Sequence, residues 1–366
     1  MQCTILTIAY PGAHVYLRRA MDSIINQTYD NWIYYLIDNG STGETEQMIK
    51  DYVAKDSRIV VLRQEHHDIT KATDLFIDAI MQSPSENYLC MLDADDEYNP
   101  DFLKIMTEFI QINSLDLAAC GYDTVYTLNN VPTGETNSHS PPESIIIDQD
   151  TFERYSDFFP IYFPNMRAWW AKLYSVRLLH EIDFKKIYPT VGYGRDSLCT
   201  FEIFRKAARI GILPNKLHTY FSAPRHSLYS FDIKLVEAHL LIIHSVKNFL
   251  TEKFGYVTVQ NEVSIQSWYC HCLSAFITML MSDKTAHGES LKLLHQILTF
   301  PTTIKLFGAG YINREVLKGQ FRDPLMAWLL TLDDIYKPEN SHMITDIQNI
   351  LERGICHPER VNHLNV

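Results

Sequence analysis

Short apolar runs alternate with amphipathic segments along the first hundred residues of the chain. Residues 3–9, CTILTIA, are apolar and rich in β-formers, and they end at Tyr10-Pro11-Gly12, which predicts a buried strand followed by a turn. Apolar residues at helical spacing come next: Leu17, Ala20, Met21, Ile24 and Ile25. A second strand is predicted over 32–37, ending at Asp38. The pattern indicates a β-α-β unit.

The same alternation continues, with helices predicted over about 45–54 and 71–81 and strands over 58–62 and 88–92. Such a pattern predicts a mostly parallel sheet flanked by helices. Ligands of these sheets bind beyond the carboxyl ends of the strands, where Tyr10, Asp38 and Asp93 fall. Residues 129–142, rich in Asn, Thr, Ser, Pro and Gly, predict a surface loop with the composition of a lid.

The pattern becomes mainly helical after residue 231, with long segments at 233–254 and 263–281. We therefore expect two domains, an α/β catalytic domain over 1–230 and a helical accessory domain over 231–366. The length of 366 residues and the hydrophobic share of 46% suit two folded domains.

Charge and cysteine content narrow the class of protein. The net charge of −12 argues against a nucleic-acid partner, because phosphate contacts require a basic face. Seven scattered cysteines follow no disulfide pattern and predict reduced thiols in a cytoplasmic protein. No signal peptide or run of ~20 apolar residues stands out, so we expect a soluble protein, with peripheral membrane association left open.

The strongest chemical signal is Asp93-Ala94-Asp95-Asp96, directly after the apolar run YLCML. Mg²⁺ and Mn²⁺ prefer oxygen ligands, typically one or two carboxylates with phosphates and water, and a nucleotide diphosphate supplies the phosphates. A solvated acidic turn that caps the next helix is the alternative. Asp38-Asn39-Gly40 is likewise either an ordinary turn or a place where a carboxylate accepts from a nucleobase.

Taken together and in order, these motifs resemble family 2 glycosyltransferases, which are inverting enzymes of the GT-A fold. LRRAMDSIINQTYDNWIYYLIDNGST is similar to the opening helix and second strand of that family, and MLDADDEYNPDFL to its metal motif. Three later segments, WWAKLYSVRLL, GRDSLCTFEIFRKAARIGILPNKLHTYF and PRHSLYS, resemble later family blocks. The resemblance covers about residues 3–230.

The resemblance implies a role for individual residues. Asp38 would contact the nucleobase, Asp93 the ribose or the metal, and Asp95 the metal on the diphosphate. Asp196 would be the catalytic base that deprotonates the acceptor hydroxyl, although a helix cap is its alternative. Further expected donor or metal contacts are Tyr10, Lys71, Arg225 and His226. Trp169 and Trp170 are either core residues or a platform for a sugar.

Several positions depart from the family pattern. Asn39 stands where a second acid is frequent, and Lys71 is the nearest cation to a missing Ala-Arg-Asn stretch. Arg195 precedes Asp196, and its charge is expected to lower the pKa of that carboxyl and weaken it as a base. No Gln-x-x-Arg-Trp block is present, which disfavours a processive synthase.

Two other motifs look weaker. The glycines of IKLFGAG at 304–310 begin a dinucleotide-binding pattern that the next residues do not complete. Cys270-His271-Cys272 lacks a second ligand pair at zinc spacing.

The sequence thus predicts transfer of one sugar from a nucleotide diphosphate sugar, with a UDP-sugar favoured, to a hydroxyl of a glycan, lipid-linked or protein acceptor. Mg²⁺ or Mn²⁺ is the expected cofactor. A nucleotidyltransferase-like enzyme and a catalytically decayed scaffold protein remain as alternatives, and a homo-oligomer through the C-terminal domain is left open.

Overall fold

A computed structural model describes residues 1–65, 68–151, 157–187, 194–222, 231–282, 289–308, 318–332 and 337–353. The chain divides into two compact units. The first comprises Met1–Ile187, Asp196–Arg225 and Glu252–Gly255, and the second comprises Tyr188–Arg195, His226–Thr251 and Tyr256–Val366. The expected division into functional domains at residue 230 remains a prediction.

The first unit contains the sheet. Its strands are β1 Cys3–Ala9, β2 Trp32–Asn39, β3 Ile59–Gln64, β4 Tyr88–Met91, β5 Glu97–Tyr98, β6 Leu117–Leu128, β7 Val131–His139, β8 Ile145–Ile147, β9 Lys172–Ser175 and β10 Ile210–Ser222. Its helices are α1 His14–Ile25, α2 Gly43–Lys55, α3 Ile69–Gln82, α4 Phe102–Asn113, α5 Phe158–Arg167, α6 Val176–Leu179, α7 Phe184–Ile187 and α8 Arg195–Lys206, whose first residue is assigned to the second unit.

The strands form one mixed sheet in the order β3-β2-β1-β4-β9-β6-β10-β5, with β7 beside β6 and β8 beside β10. The first four strands of this order are parallel. β9 runs antiparallel to both β4 and β6, so this short strand joins the two halves of the sheet. The parallel carboxyl ends of β1, β2 and β4 therefore lie along one edge, as the sequence predicted.

Burial explains why the N-terminal half forms these elements. β1 is buried along almost its whole length, as expected for a parallel strand covered on both faces. α1 buries one apolar face against the sheet, formed by Leu17, Ala20, Met21 and Ile24. Burial of each large side chain contributes about 1.5–3 kcal/mol, which fixes the helix that follows β1.

The predicted loop at 129–142 is wrong over most of its length, because residues 131–139 form β7. Asn129 and Asn130 have φ values of 51° and 64° and form the whole connection between β6 and β7. Two residues with positive φ make the turn that suits a tight hairpin, and asparagine tolerates that conformation. β7 is polar and exposed, so its composition resembles that of a loop.

The second unit is helical in its described parts, as expected for the C-terminal region. Its helices are α9 Ile233–Phe254, whose residues from Glu252 onward are assigned to the first unit, α10 Val259–Ser282, α11 Ser290–Leu298, α12 Pro301–Gly308, α13 Asp323–Leu329 and α14 Ser341–Arg353. The described residues of this unit also form a π-helical turn at Lys318–Arg322 and a 3-10 turn at Pro338–Asn340. None of the helices in the described parts of the chain has the length and apolar character needed to cross a bilayer.

Candidate active site

Three carboxylates meet in the loop that follows β4. Asp93, Asp95 and Asp96 each present an oxygen, and these oxygens all lie within 4.8 Å of one another. Burial raises the pKa of Asp93 and Asp96 well above the usual value, and repulsion between the carboxylates adds to it. Burial raises the pKa of Asp95 too. Because closely spaced oxygen ligands suit Mg²⁺ or Mn²⁺, and a cation would relieve this repulsion, the residues present fit a divalent metal.

Asp96 differs from its two neighbours because it is tied into the fold. It is 0% exposed, its Oδ2 lies 3.1 Å from Nε2 of His218, and its Oδ1 accepts from the Phe221 N–H at 3.0 Å. Burial lowers the pKa of His218 to about 3, so the imidazole is neutral. The hydrogen bonds of Asp96 therefore fasten the acidic loop to β10, while Asp93 and Asp95 are less buried.

Arg19 of α1 supports the same loop, and sequence reasoning missed it. Its guanidinium donates to the main-chain carbonyl of Asp95, and its Cζ lies 3.3 Å from the ring centroid of Phe221. The side chain thus connects α1, the acidic loop and the end of β10. No sequence signal separates Arg19 from the adjacent Arg18, because the role arises only when distant elements meet.

The two adjacent tryptophans also contact the acidic loop. Nε1 of Trp169 donates to Oδ1 of Asp93 at 3.4 Å, and its ring stacks on Phe76 with centroids 4.9 Å apart. Trp170 is buried and stacks on His218, with centroids 4.5 Å apart and planes at 5°. Trp170 is therefore a core residue, whereas Trp169 directly touches one of the candidate metal ligands.

Asp196 lies in the first turn of α8 and is partly buried. Burial raises the pKa of this carboxyl, and the Ser197 N–H and the positive charges of Arg167 and Lys172 oppose the rise. Asp196 is close enough to the acidic loop that its charge contributes to raising the pKa of Asp93.

The lowered pKa that the sequence suggested for Asp196 is wrong in its net direction. Burial is the largest influence and raises the pKa, because desolvation disfavours the charged form. The neighbouring Arg195 in the sequence gave no measure of how deeply the carboxyl is buried. A raised pKa makes Asp196 a stronger base once it is ionised.

Tyr10 and Asp38 lie at the ends of β1 and β2. Burial raises the pKa of Tyr10, and the charge of Asp95 adds to the rise, so the hydroxyl lies within electrostatic range of the acidic loop. Asp38 is 1% exposed, with Oδ1 accepting from the Ser41 N–H at 2.8 Å and Oδ2 paired with Arg63 at 2.9 Å. These contacts show how Asp38 shapes its turn, and its role toward a nucleobase remains a prediction.

The remaining residues that the sequence singled out have no described contact with the acidic loop. Lys71 is exposed in the first turn of α3, where Asp68 accepts from its backbone N–H. Arg225 and His226 lie outside the described residues. Within the described ranges, the acidic loop is the one group of His, Cys, Asp and Glu side chains with metal-site spacing, so Cys270 and Cys272 of α10 do not form such a group.

A mixed α/β sheet with an acidic loop beyond a central strand fits the fold of GT-A glycosyltransferases. Residues 4–177 match the family model described as Glycosyl transferase family 2. The chain therefore carries a family 2 glycosyltransferase domain, as its motifs suggested.

Curated relatives support this assignment. The chain is similar to glycosyltransferase GlyA of Streptococcus pneumoniae, with 24% identity over 218 residues that cover 59% of this chain and 30% of GlyA. It is also similar to the uncharacterized glycosyltransferase EpsJ of Bacillus subtilis, with 21% identity over 78% of this chain and 80% of EpsJ. The match thus spans less than a third of GlyA but most of EpsJ.

Solved structures show the same fold. S. aureus TarS 1-349 in complex with UDP aligns with a TM-score of 0.54 and 16% identity, covering 96% of this chain and 89% of that one. Its complex with UDP-GlcNAc aligns with a TM-score of 0.52 and 18% identity, covering 96% and 90%. At these identities the likeness concerns the fold.

Proposed function

We propose that this protein is a metal-dependent, inverting glycosyltransferase that moves a single sugar from a nucleotide diphosphate sugar to an acceptor hydroxyl. The observation that carries the proposal is the cluster of Asp93, Asp95 and Asp96 within 4.8 Å at the carboxyl end of β4, with Asp196 near enough to influence it. Donor and acceptor chemistry would meet at this edge of the sheet.

In this proposal Asp93 and Asp95 hold the divalent metal, while Asp96 keeps the loop in place through β10. A bound Mg²⁺ or Mn²⁺ would neutralise the charge of the leaving nucleotide diphosphate. The chain itself supplies fixed ligands, since hydrogen bonds from Arg19 and Trp169 restrict the loop. Preorganised ligands of this kind need no rearrangement when substrate arrives.

Asp196 is the proposed general base. Its carboxylate would take the proton of the acceptor hydroxyl as the oxygen attacks the anomeric carbon from the face opposite the nucleotide. One such displacement inverts the configuration at that carbon. The raised pKa of Asp196 supports this role, because it brings the carboxyl nearer to the pH at which it works.

The proposed donor is a UDP-sugar, because structures of the TarS fold relative contain UDP and UDP-GlcNAc. Tyr10, Asp38, Lys71, Arg225 and His226 are proposed donor or metal contacts, and the acceptor is a glycan, lipid-linked molecule or protein. We also propose a cytoplasmic location, since the seven cysteines of the sequence follow no disulfide spacing pattern. The helical region after residue 231 is proposed to be an accessory domain.

A hydrolysis assay tests the proposal against a nucleotidyltransferase and a decayed scaffold. The chain is incubated with UDP-GlcNAc and other UDP-sugars, with Mn²⁺, Mg²⁺ or EDTA. We expect metal-dependent release of UDP, which Asp95→Ala abolishes while the matched Asp74→Ala, on the exposed face of α3, leaves it unchanged. Sugar 1-phosphate as a product would favour nucleotidyl transfer, and absence of donor binding would favour a scaffold.

A further inference from the structure

Lys172, the first residue of β9, is a buried amine that the proposed chemistry uses neither as a metal ligand nor as a base. The residue is 1% exposed, and its Nζ donates to the carbonyls of Ala168 at 2.5 Å and Trp170 at 3.2 Å. Burial lowers the pKa of this amine to about 7. Burying an amine lowers the stability of the fold unless the amine is hydrogen-bonded. Both its neutral and its charged form can donate to two carbonyls.

The carbonyls belong to residues 168–171, which we term the tryptophan turn. Ala171 has a φ of 56°, a left-handed conformation that an alanine adopts only when its surroundings hold it. The hydroxyl of Tyr174 donates to the Trp169 carbonyl at 2.8 Å, and the Cys120 N–H donates to the Ala171 carbonyl at 3.0 Å. Together with Lys172, these donors satisfy every carbonyl of the turn.

The tryptophan turn has two links to the acidic loop. The indole N–H of Trp169 reaches Asp93, and the ring of Trp170 lies flat on His218, which in turn binds Asp96. One link ends on a candidate metal ligand and the other on the carboxylate that anchors the loop. A shift of the turn would therefore move both ends of the acidic loop.

We propose that Lys172 is a positioning residue that holds the tryptophan turn so that Trp169 and Trp170 fix the acidic loop for metal and donor. The inference rests on the proposed function. The proposed effect of Lys172 on the acidic loop runs through the carbonyls of the turn and is separate from the influence of its charge on the pKa of Asp196. Replacing a residue that holds metal ligands in their orientation typically weakens metal affinity by about 10- to 100-fold.

The test uses the full chain and Lys172→Met, which keeps a long side chain but removes the donors. Binding of Mn²⁺ together with UDP is measured by calorimetry. We expect affinity about tenfold weaker than in the wild type, with a raised KM for UDP-GlcNAc hydrolysis and a smaller change in kcat. Thr107→Val is the matched control, since it removes a buried hydrogen bond within α4, and we expect it to leave the affinity unchanged.

A double-mutant cycle separates positioning from general loss of stability. Trp169→Phe keeps the ring on Phe76 but removes the N–H that reaches Asp93. Because both changes act on the link from Trp169 to Asp93, the affinity losses of Lys172→Met and Trp169→Phe should be less than additive. Thr107→Val should leave the loss caused by Trp169→Phe unchanged. Additive losses in the first pair, or wild-type affinity in Lys172→Met, would overturn the inference.

If Lys172→Met does not fold, the same cycle is run with Tyr174→Phe, which removes the donor to the Trp169 carbonyl. The same non-additivity is expected, and additivity overturns the inference in the same way. A wild-type protein that binds neither Mn²⁺ nor UDP would instead refute the proposed function, and the inference would fall with it.

Discussion

Replacing Asp196 with asparagine should separate catalysis from donor binding. The substitution keeps the shape of the side chain, and its amide oxygen still accepts from the Ser197 N–H at the start of α8. Only the basicity is lost. Metal and UDP affinity should therefore remain close to wild type, because Asp196 is not among the clustered carboxylates.

The rate of sugar transfer should fall by about 10² to 10⁴, the usual contribution of a general base. In activation free energy this is about 2.7 to 5.4 kcal/mol. The assay measures kcat against pH with a saturating donor and a hydroxyl acceptor. For the wild type, the acidic limb should have its midpoint above 3.8, the ordinary pKa of an aspartate, because burial raises the pKa of Asp196.

Stability provides the control for this variant. Because the pKa of Asp196 is higher in the folded chain than in the unfolded chain, the folded state loses stability as the pH rises through the folded pKa. The neutral asparagine removes that cost, so the free energy of unfolding at pH 7 should be equal or higher. Transfer at the wild-type rate by Asp196→Asn would refute the assignment of the base.

Two further predictions concern the fold. Burial alone would raise the pKa of Glu262, but hydrogen bonds from Lys247, Lys305 and Gln266 outweigh it and lower the pKa to about 2. The ionised Glu262 therefore stabilises the fold above pH 4.5, and this stabilisation is lost as the pH falls toward 2. Glu262→Gln should lower the free energy of unfolding, measured in urea, by about 1–2 kcal/mol at pH 7 and by less at pH 3. An equal loss at both values would contradict the ion-pair account. At the β6–β7 turn, Asn130→Val should lower the free energy of unfolding by about 1–2 kcal/mol, because a β-branched residue disfavours positive φ. Asn130→Gly should be tolerated, because glycine adopts positive φ readily. Equal stability of the two variants would argue against the hairpin.

The N-terminal half of the sheet was predictable because local pattern and tertiary structure agree there. β1 to β4 are short apolar runs between amphipathic helices, and their observed bounds lie within about two residues of the predicted ones. The position of Asp93 and Asp95 at a strand end also followed from the pattern, since a parallel sheet places its carboxyl ends together.

The polar hairpin escaped prediction for a physical reason. β7 has almost no buried side chain, so nothing in its sequence alternates between apolar and polar positions. Its backbone pairing with β6 and the Asn129-Asn130 turn hold it in place. Turn residues that favour a loop favour a tight hairpin equally well, and composition does not distinguish the two.

The support around the acidic loop was also beyond sequence reasoning. Arg19, His218 and Lys172 lie far apart in the chain and carry no motif, and each acts only where other elements meet it. The same applies to the pKa of Asp196, because the direction of its shift is decided by how deeply the carboxyl is buried. The sequence located the proposed metal ligands and the proposed base, whereas tertiary contacts determine how firmly they are held.

The position of β9 between the two halves of the sheet has a consequence for how the chain folds. Its partners β4 and β6 do not pair with each other, so β9 can be held along both of its edges only after both of those strands are in place. We expect the N-terminal strands to form early and β9 to insert late. Because β9 carries Lys172 and Tyr174, the acidic loop would acquire its final geometry only in that last step. During refolding, recovery of Mn²⁺ binding should therefore lag behind recovery of secondary structure.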